Sequence, residues 1–300
     1  MVTTSEVRVE AEIEELSDKR PFFSRFREFA RKQPLGTFGA GIVFVMVFSA
    51  IFANFITPHD PIANSYENIL QSYSSEFLLG TDQFGRDILT RIIYGARTAL
   101  FVGFTAAIVG ACTGLVLGVA SAFFGGKFDL LFQRVMDVFM AFPLIILALA
   151  VVAIFGTGIQ NVIIAITIPF IPRCARVVRS SALAIREIPY IDAARANGFS
   201  NARIILRHMV PNVMAPFLIM ITAFVGQAIL LEASLSYLGL GVQEPTPAWG
   251  LMLQGGAEEY AESAPWVAIW PGVAVSLAVF GFNLFGDAVR DTLDPKLRSQ

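Results

Sequence analysis

The sequence predicts an all-α integral membrane protein with six transmembrane helices and both termini in the cytoplasm. Three observations carry that reading. Of its 300 residues, 55% are hydrophobic and only 15% charged, with mean hydropathy +0.63; ordinary soluble domains carry about 25% charged residues, so a water-soluble globule or a disordered chain is excluded. The apolar residues fall in charge-free blocks long enough to span a bilayer. Lysine and arginine gather in one set of connecting segments.

The blocks are Gly36–Thr57 (22 residues), Thr98–Gly126 (29), Val138–Pro172 (35), His208–Leu231 (24) and Ser263–Gly286 (24). At about 1.5 Å rise per residue, roughly 20 residues cross the hydrocarbon. The third block is too long for one crossing. Inside it Phe155-Gly156-Thr157-Gly158-Ile159-Gln160-Asn161 is a glycine-rich and polar break suited to a tight turn. Two spans are expected there, the first entering from near Leu131; the alternative is five spans and one re-entrant segment. With six, the cytoplasmic segments 1–35, 125–137, 173–207 and 287–300 carry 19 Lys and Arg, against 3 in the outer segments 58–97 and 232–265. Five spans would place the amino terminus and the arginine-rich stretch on opposite faces, against the positive-inside rule.

The organisation expected is therefore a cytoplasmic segment 1–35, a first span 36–57, an extracytoplasmic loop 58–97, a core 98–287 enclosing the loop 173–212, and a tail 288–300. Val7–Asp18 is acidic and no apolar core follows close to Met1, so no cleavable signal peptide is expected. Lys19–Lys32 interleaves six basic residues with Phe22, Phe23, Phe26 and Phe29, the pattern of an interfacial lead-in helix. Cys112 and Cys174 read as small packing residues rather than a disulfide. In the second block Gly103, Gly110, Gly114 and Gly118 form a face for close helix packing. Asn161, Thr167, Thr222, Gln227 and Asn283 either line a polar path or satisfy neighbouring helices.

No catalytic cluster or metal site is expected. The interiors of the blocks hold no Asp, Glu, Lys or Arg, which argues against an ion-coupled carrier. His59 and His208 sit at span edges, too few for a membrane-embedded metalloenzyme. There is no Gly-rich phosphate loop ending in Lys-Ser/Thr, so any nucleotide hydrolysis belongs to another polypeptide.

Residues 173–212 stand out. Arg173, Arg176 and Arg179 follow Pro172 at intervals of three, continuing the helix out of the membrane. A short helix is expected from Pro189 through Tyr190-Ile191-Asp192-Ala193-Ala194-Arg195-Ala196-Asn197, stopping at Gly198. Ser200 then caps a helix Asn201–Met209, ending towards Pro211. A compact alanine-sided helix with a glycine stop fits a docking element as well as a solvated connector.

Asp192-Ala193-Ala194, three residues, then Gly198 and Pro211 resembles the coupling loop of ABC-type importer permeases, whose pattern is Glu-Ala-Ala, three residues, Gly, nine residues, Ile, any residue, Leu-Pro. The spacing is kept, while Asp192 replaces Glu, His208 stands at the Ile position and Val210 precedes Pro211. Three more stretches resemble the C-type permeases of dipeptide and oligopeptide importers: Leu79-Gly80-Thr81-Asp82-Gln83-Phe84-Gly85-Arg86-Asp87 with Tyr94-Gly95-Ala96-Arg97; Glu232 to Gly241, including Gly239, leading to Pro247-Ala248-Trp249-Gly250; and Gly286-Asp287 with Arg290-Asp291 and Leu293-Asp294-Pro295. The resemblance covers roughly 20–300.

It implies a type I ABC importer permease fold in the plasma (inner) membrane, working beside a second homologous permease, two ABC ATPase subunits and an extracytoplasmic solute-binding protein. ATPase coupling would fall to Tyr190, Asp192, Ala193, Ala194, Arg195, Gly198 and Pro211. Gly80, Asp82, Gly85, Arg86, Asp87, Gly239, Gly241, Trp249, Gly250, Asp287, Asp294 and Pro295 would be structural. This chain would bind no cofactor, ATP and magnesium being used by the partners, and would contact lipid but no nucleic acid. Peptides are the implied cargo, with nickel, glutathione or another small solute as the alternative. Glu232, Glu244, Glu258, Glu259 and Glu262 in the second outer loop, unaccompanied by Lys or Arg, suggest a negative field towards the binding protein.

Overall fold

The structure, a computed structural model, describes Arg27 and residues 29–293, except the side chain of Glu258. Most of the Lys19–Lys32 segment lies outside the described residues, as do Asp294 and Pro295.

Long apolar helices dominate: α1 (Pro34–Ile56), α2 (Ile88–Phe124), α5 (Ile159–Arg186), α8 (Met214–Tyr237) and α10 (Trp266–Leu293). Shorter helices connect them: α3 (Gly126–Met140), α4 (Leu144–Phe155), α6 (Pro189–Ala196), α7 (Asn201–Ile204) and α9 (Trp249–Glu259). Among the described residues, five helices are long and apolar enough to cross a membrane, and the pair α3–α4 makes a sixth crossing if its 90° bend is counted as one broken span.

Packing decides how that pair is read. Gly110 lies against Phe170, Gly114 against Cys174 and Gly118 against Ala175, and Arg186 Nη1 donates to the Ala122 carbonyl at 2.8 Å. Contacts that advance together along both helices mean that α2 and α5 run parallel. The intervening chain must then return across the layer, as a single re-entrant loop would not. At Gly114 a Cβ would stand 2.6 Å from Cys174 Cβ, and at Gly118 2.5 Å from the Ala175 carbonyl oxygen. Only glycine lets the backbones approach this far, which is the role expected of the glycine face.

The first span of the third block nevertheless differs from expectation. It does not run straight from near Leu131. The chain turns at Ala141–Pro143, where proline lacks the N–H a continuing helix needs, leaving α4 only 12 residues, roughly 18 Å. The expected turn at 155–161 is present. Gly156 and Gly158 have positive φ, and Asn161 Nδ2 closes the turn by donating to the Phe155 and Thr157 carbonyls at 2.8 and 3.3 Å.

Helix ends also shift. α2 starts at Ile88, ten residues inside the expected loop 58–97, because Asp87 caps it: Oδ2 accepts from Thr90 N at 2.9 Å and Thr90 Oγ1 at 2.6 Å. The helix starting at Asn201 does not stop before Pro211. It widens into a π-turn over Ile205–Met209, tightens into a 3-10 turn over Val210–Val213 and continues as α8. A proline inside an α-helix removes one hydrogen bond and crowds the preceding turn; changing the helix pitch on both sides accommodates it.

Candidate functional site

The short helix α6 follows α5 at the arginine-rich end. Ile188 is extended, as a residue before proline prefers, and Pro189 opens the helix. The stop is a complete Schellman motif: Gly198 N donates to the Arg195 carbonyl at 2.9 Å and Phe199 N to the Ala194 carbonyl at 3.1 Å, with Gly198 at φ +77°.

The faces of α6 divide the expected residues. Ile191 and Ala194 are buried against this chain, whereas Tyr190, Asp192, Ala193, Arg195 and Gly198 are exposed. Ala194 therefore seats the helix on its own protein and Ala193 is the alanine it presents outward. Asp192 and Arg195 pair at 3.2 Å on that surface, and the Arg195 guanidinium lies 5.6 Å from the Phe123 ring centre at the end of α2. Tyr190 Oη donates to the His208 carbonyl at 3.2 Å, and Asn212 Nδ2 donates to the same carbonyl at 2.6 Å. Phe199 stacks on the His208 ring with centres 6.1 Å apart, while Arg203 covers Phe199 at 4.3 Å. His208 thus occupies a packed position beside α6, with exposed Pro211 following. Reading the sequence gave His208 no such role; its only signal was the departure from the family's Ile.

Beneath α6, the arginines of α5 hold α3. Arg179 Nε donates to Asp129 Oδ1 at 2.6 Å with a second contact from Nη2 to Oδ2, Ser121 Oγ shares that carboxylate, and Arg176 pairs with Asp137. These bonds tie α5 to α3 and to the end of α2.

At the opposite end the motif residues build a locked pair of loops. Asp82 Oδ1 accepts from Phe84 N and Arg86 N, both at 2.9 Å, and its Oδ2 accepts from Arg86 Nε at 2.7 Å. Arg86 then reaches Glu244 of the second loop, Nη1 to Oε2 at 2.8 Å and Nη2 to Oε1 at 3.1 Å. Arg91, fully buried, stands 3.4 Å from Glu244 Oε1 and donates to the Pro61 carbonyl at 2.9 Å. Burial opposes the charged form of Arg86, but hydrogen bonds and Coulomb attraction from Glu244 and Asp82 outweigh it and hold the guanidinium above its ordinary pKa.

The remaining motif residues are packing devices. Trp249 Nε1 donates to the Ile92 carbonyl at 2.9 Å with its ring on Gly95. Gly250 lies on the Ala233 carbonyl, Gly241 under Ser236, Gly80 on Trp266 and Gly85 on Ser65. Gly239, at φ +74°, ends α8 with a second Schellman motif. Asp287 is exposed on α10.

The suggested acidic field is reduced by these contacts. Glu232 is 1% exposed, with Oε1 accepting from Ser236 Oγ at 2.7 Å, and Glu244 is committed to two arginines. Glu259 and Glu262 remain exposed. The pairing of Arg86 with Glu244 was not visible from the sequence, since 158 positions separate them.

The chain is similar to proteins of known type. Residues 114–299 match the model of the binding-protein-dependent transport system inner membrane component, and residues 22–72 match the N-terminal transmembrane domain of oligopeptide transport permease C. A putative peptide transport system permease protein of Brucella suis is 42% identical over 280 residues, covering 93% of this chain and 94% of that protein. The dipeptide transport system permease protein of Alkalihalophilus pseudofirmus is 43% identical (93% and 91% covered), and the glutathione transport system permease protein of Escherichia coli 41% (93% and 92%). Among solved structures, an inward-facing MetNI methionine ABC transporter superposes with TM-score 0.57 at 20% identity, over 69% of this chain and 98% of that one; it shares the fold.

Proposed function

From the premise that this chain belongs to the family of binding-protein-dependent transport system inner membrane components, and is a multi-pass inner-membrane permease, we propose that it forms half of the translocation path of an ATP-driven peptide importer. A second, related permease would complete the path, two ATPase subunits would drive it from the cytoplasm, and an extracytoplasmic binding protein would deliver the solute. Hydrolysis of ATP is assigned to the partners, and this chain binds no cofactor of its own. Peptide cargo is inferred from the peptide and dipeptide permeases it is similar to; glutathione, itself a tripeptide derivative, falls in the same chemical class.

The observation that carries this reading is the exposed face of α6. We place it in the cytoplasm, in line with the 19 basic residues on that side. Ala193 offers a flat surface that lets a partner approach closely, Asp192 and Arg195 fix its orientation, and Ile191 and Ala194 anchor it behind. ATP binding that closes the motor moves α6 as a rigid body. Through Arg195 on Phe123, Arg179 on Asp129 and the parallel α2–α5 pair, that displacement reaches the membrane layer. The loop lock at the other end holds a fixed platform for the binding protein. Gly80, Asp82, Gly85, Arg86, Asp87, Gly239, Gly241, Trp249 and Gly250 keep its shape, and a structural role is kept for Asp287 on α10 and for Asp294 and Pro295, which lie outside the described residues.

The assembled transporter in proteoliposomes tests this. Uptake of a labelled tripeptide is expected only with ATP and loaded binding protein. Uptake that survives ATP depletion and collapses with the proton gradient would reject the reading in favour of an ion-coupled carrier.

A further inference from the structure

Of the polar residues within the apolar stretches, five are candidates for a polar path, and the structure sorts them. Asn161 closes the α4–α5 turn, Thr222 Oγ1 donates to the Ile219 carbonyl at 2.9 Å, and Thr167 is buried between helices. Gln227 on α8 and Asn283 on α10 are different. Both are exposed, and neither side chain has a hydrogen-bond partner among the described residues.

Their helices adjoin at this level. A Cβ placed on Gly226 would stand 3.3 Å from Asn283 Oδ1, so the residue preceding Gln227 faces the second amide directly. Their level is fixed by packing: Gly281, two residues from Asn283, lies on Ile42, inside the charge-free stretch of α1, and Phe224, one turn below Gln227, stacks on Phe170 at 4.2 Å, inside the charge-free stretch of α5. Both amides therefore sit at membrane depth. Ser276 and Asp287 are exposed on the same face of α10, at seven and four residues from Asn283, with exposed Phe280 between Ser276 and Asn283, so the face is polar but not continuously so.

An amide facing hydrocarbon with its donors and acceptor unmade is costly, and polar groups at that depth face a bundle interior or a water-filled cavity. Two such amides, exposed on the adjoining helices α8 and α10, mark a wetted surface. A carboxamide carries both a carbonyl acceptor and two N–H donors, the complement of a peptide unit, and it reads main chain without regard to side-chain charge.

We propose that Gln227 and Asn283 line the translocation path and hydrogen-bond the main chain of the passing peptide. This rests on the peptide reading above and names the part of this chain that meets the cargo. Neutral amides bind weakly enough to release a peptide onward, where a charged residue would hold one class of peptide and repel another.

Two measurements test it in the full transporter. In a variant carrying Cys112→Ser, so that the exposed native thiol is removed, Gln227→Cys, Asn283→Cys and Phe44→Cys are each treated with a small cationic methanethiosulfonate reagent. Positions 227 and 283 are expected to react, and position 44, which is 68% exposed on the apolar side of α1, is not. Unreactive thiols at 227 and 283, or disulfide crosslinks joining them to the second permease, overturn the proposal by placing them against lipid or in an interface. Secondly, Gln227→Leu and Asn283→Leu are each expected to lower trialanine uptake about tenfold, the loss of one to two hydrogen bonds, while ATPase stimulation by loaded binding protein is retained. Unchanged uptake overturns it. If the wild-type transporter fails to import trialanine, the peptide reading falls, whereas thiol accessibility still decides whether these residues line a path.

Discussion

Arg86 grips Glu244 with both arms of its guanidinium, at 2.8 and 3.1 Å, and so staples the first extended loop to the second. The two sides of the pair differ in surroundings: the Arg86 side chain is 4% exposed and that of Glu244 40%. Removing Arg86 takes away the short ion pair of Asp82, which is 5% exposed, and leaves it only Arg91 at 3.7 Å, whereas removing the glutamate leaves arginines that Asp82 still partly compensates.

Arg86→Met should therefore cost more than Glu244→Gln, about 3 kcal/mol against about 1 kcal/mol, because breaking a buried pair leaves an uncompensated charge and a part-exposed one is rescued by water. Thermal unfolding of the purified assembly measures both. The double variant should lose less than the sum of the two, since the residues share one interaction. Strict additivity would show that the staple contributes nothing.

The long helices were legible because charge-free length is the strongest signal a membrane sequence carries, and the helix Pro189–Ala196 was legible because Pro189 and Gly198 act locally. The glycine face of α2 was legible for the same reason: spacing on one helix is a sequence property. Three things were not. The bend at Ala141–Pro143 falls just inside the charge-free block, after the amphipathic α3, and Pro143 alone does not distinguish a kink from a broken span. The pitch changes around Pro211 depend on neighbouring turns rather than on proline alone. The commitment of Glu244 to Arg86 and Arg91, and the burial of Glu232, arise from contacts between distant segments, so a count of acidic residues overstates the free negative charge.

The division of α6 into an inward and an outward alanine gives a paired prediction. Ala193→Trp adds bulk on the exposed face and should abolish ATP-dependent uptake while leaving the melting temperature of the permease nearly unchanged. Ala194→Trp adds it against this chain, where overpacking costs about 1–3 kcal/mol, and should lower the melting temperature first. Equal effects of the two substitutions on stability would contradict the assigned faces.

Gly198 separates backbone from space. Its φ is +77°, yet nothing lies within 4 Å of where a Cβ would be, so within this chain a side chain meets strain but no clash. Asn tolerates the left-handed region, whereas a β-branched residue pays the full conformational penalty, about 1–2 kcal/mol. Gly198→Asn should keep the Schellman stop and most of the uptake, and Gly198→Val should lose both stability and uptake. Should Gly198→Asn melt normally yet block uptake, the space beside Gly198 would be occupied by the ATPase in the assembly.

The link between Arg179 and Asp129 can be tested by reversal. Arg179 belongs to α5, whose end leads straight into α6, and Asp129 belongs to α3, which leads through the 90° bend into α4. Their side chains are 26% and 16% exposed, so the pair is sheltered and stronger than a surface bridge. If it transmits movement of α6, Arg179→Asp alone, which sets two carboxylates against each other, should cut uptake severalfold while the ATPase continues to turn over, raising the ATP consumed per peptide imported. Asp129→Arg in the same chain restores opposite charges in exchanged positions and should recover much of the lost coupling, even though Ser121 then faces a donor in place of an acceptor. A double variant no better than the single one, with both folded and inserted, would show that α3 moves independently of α5.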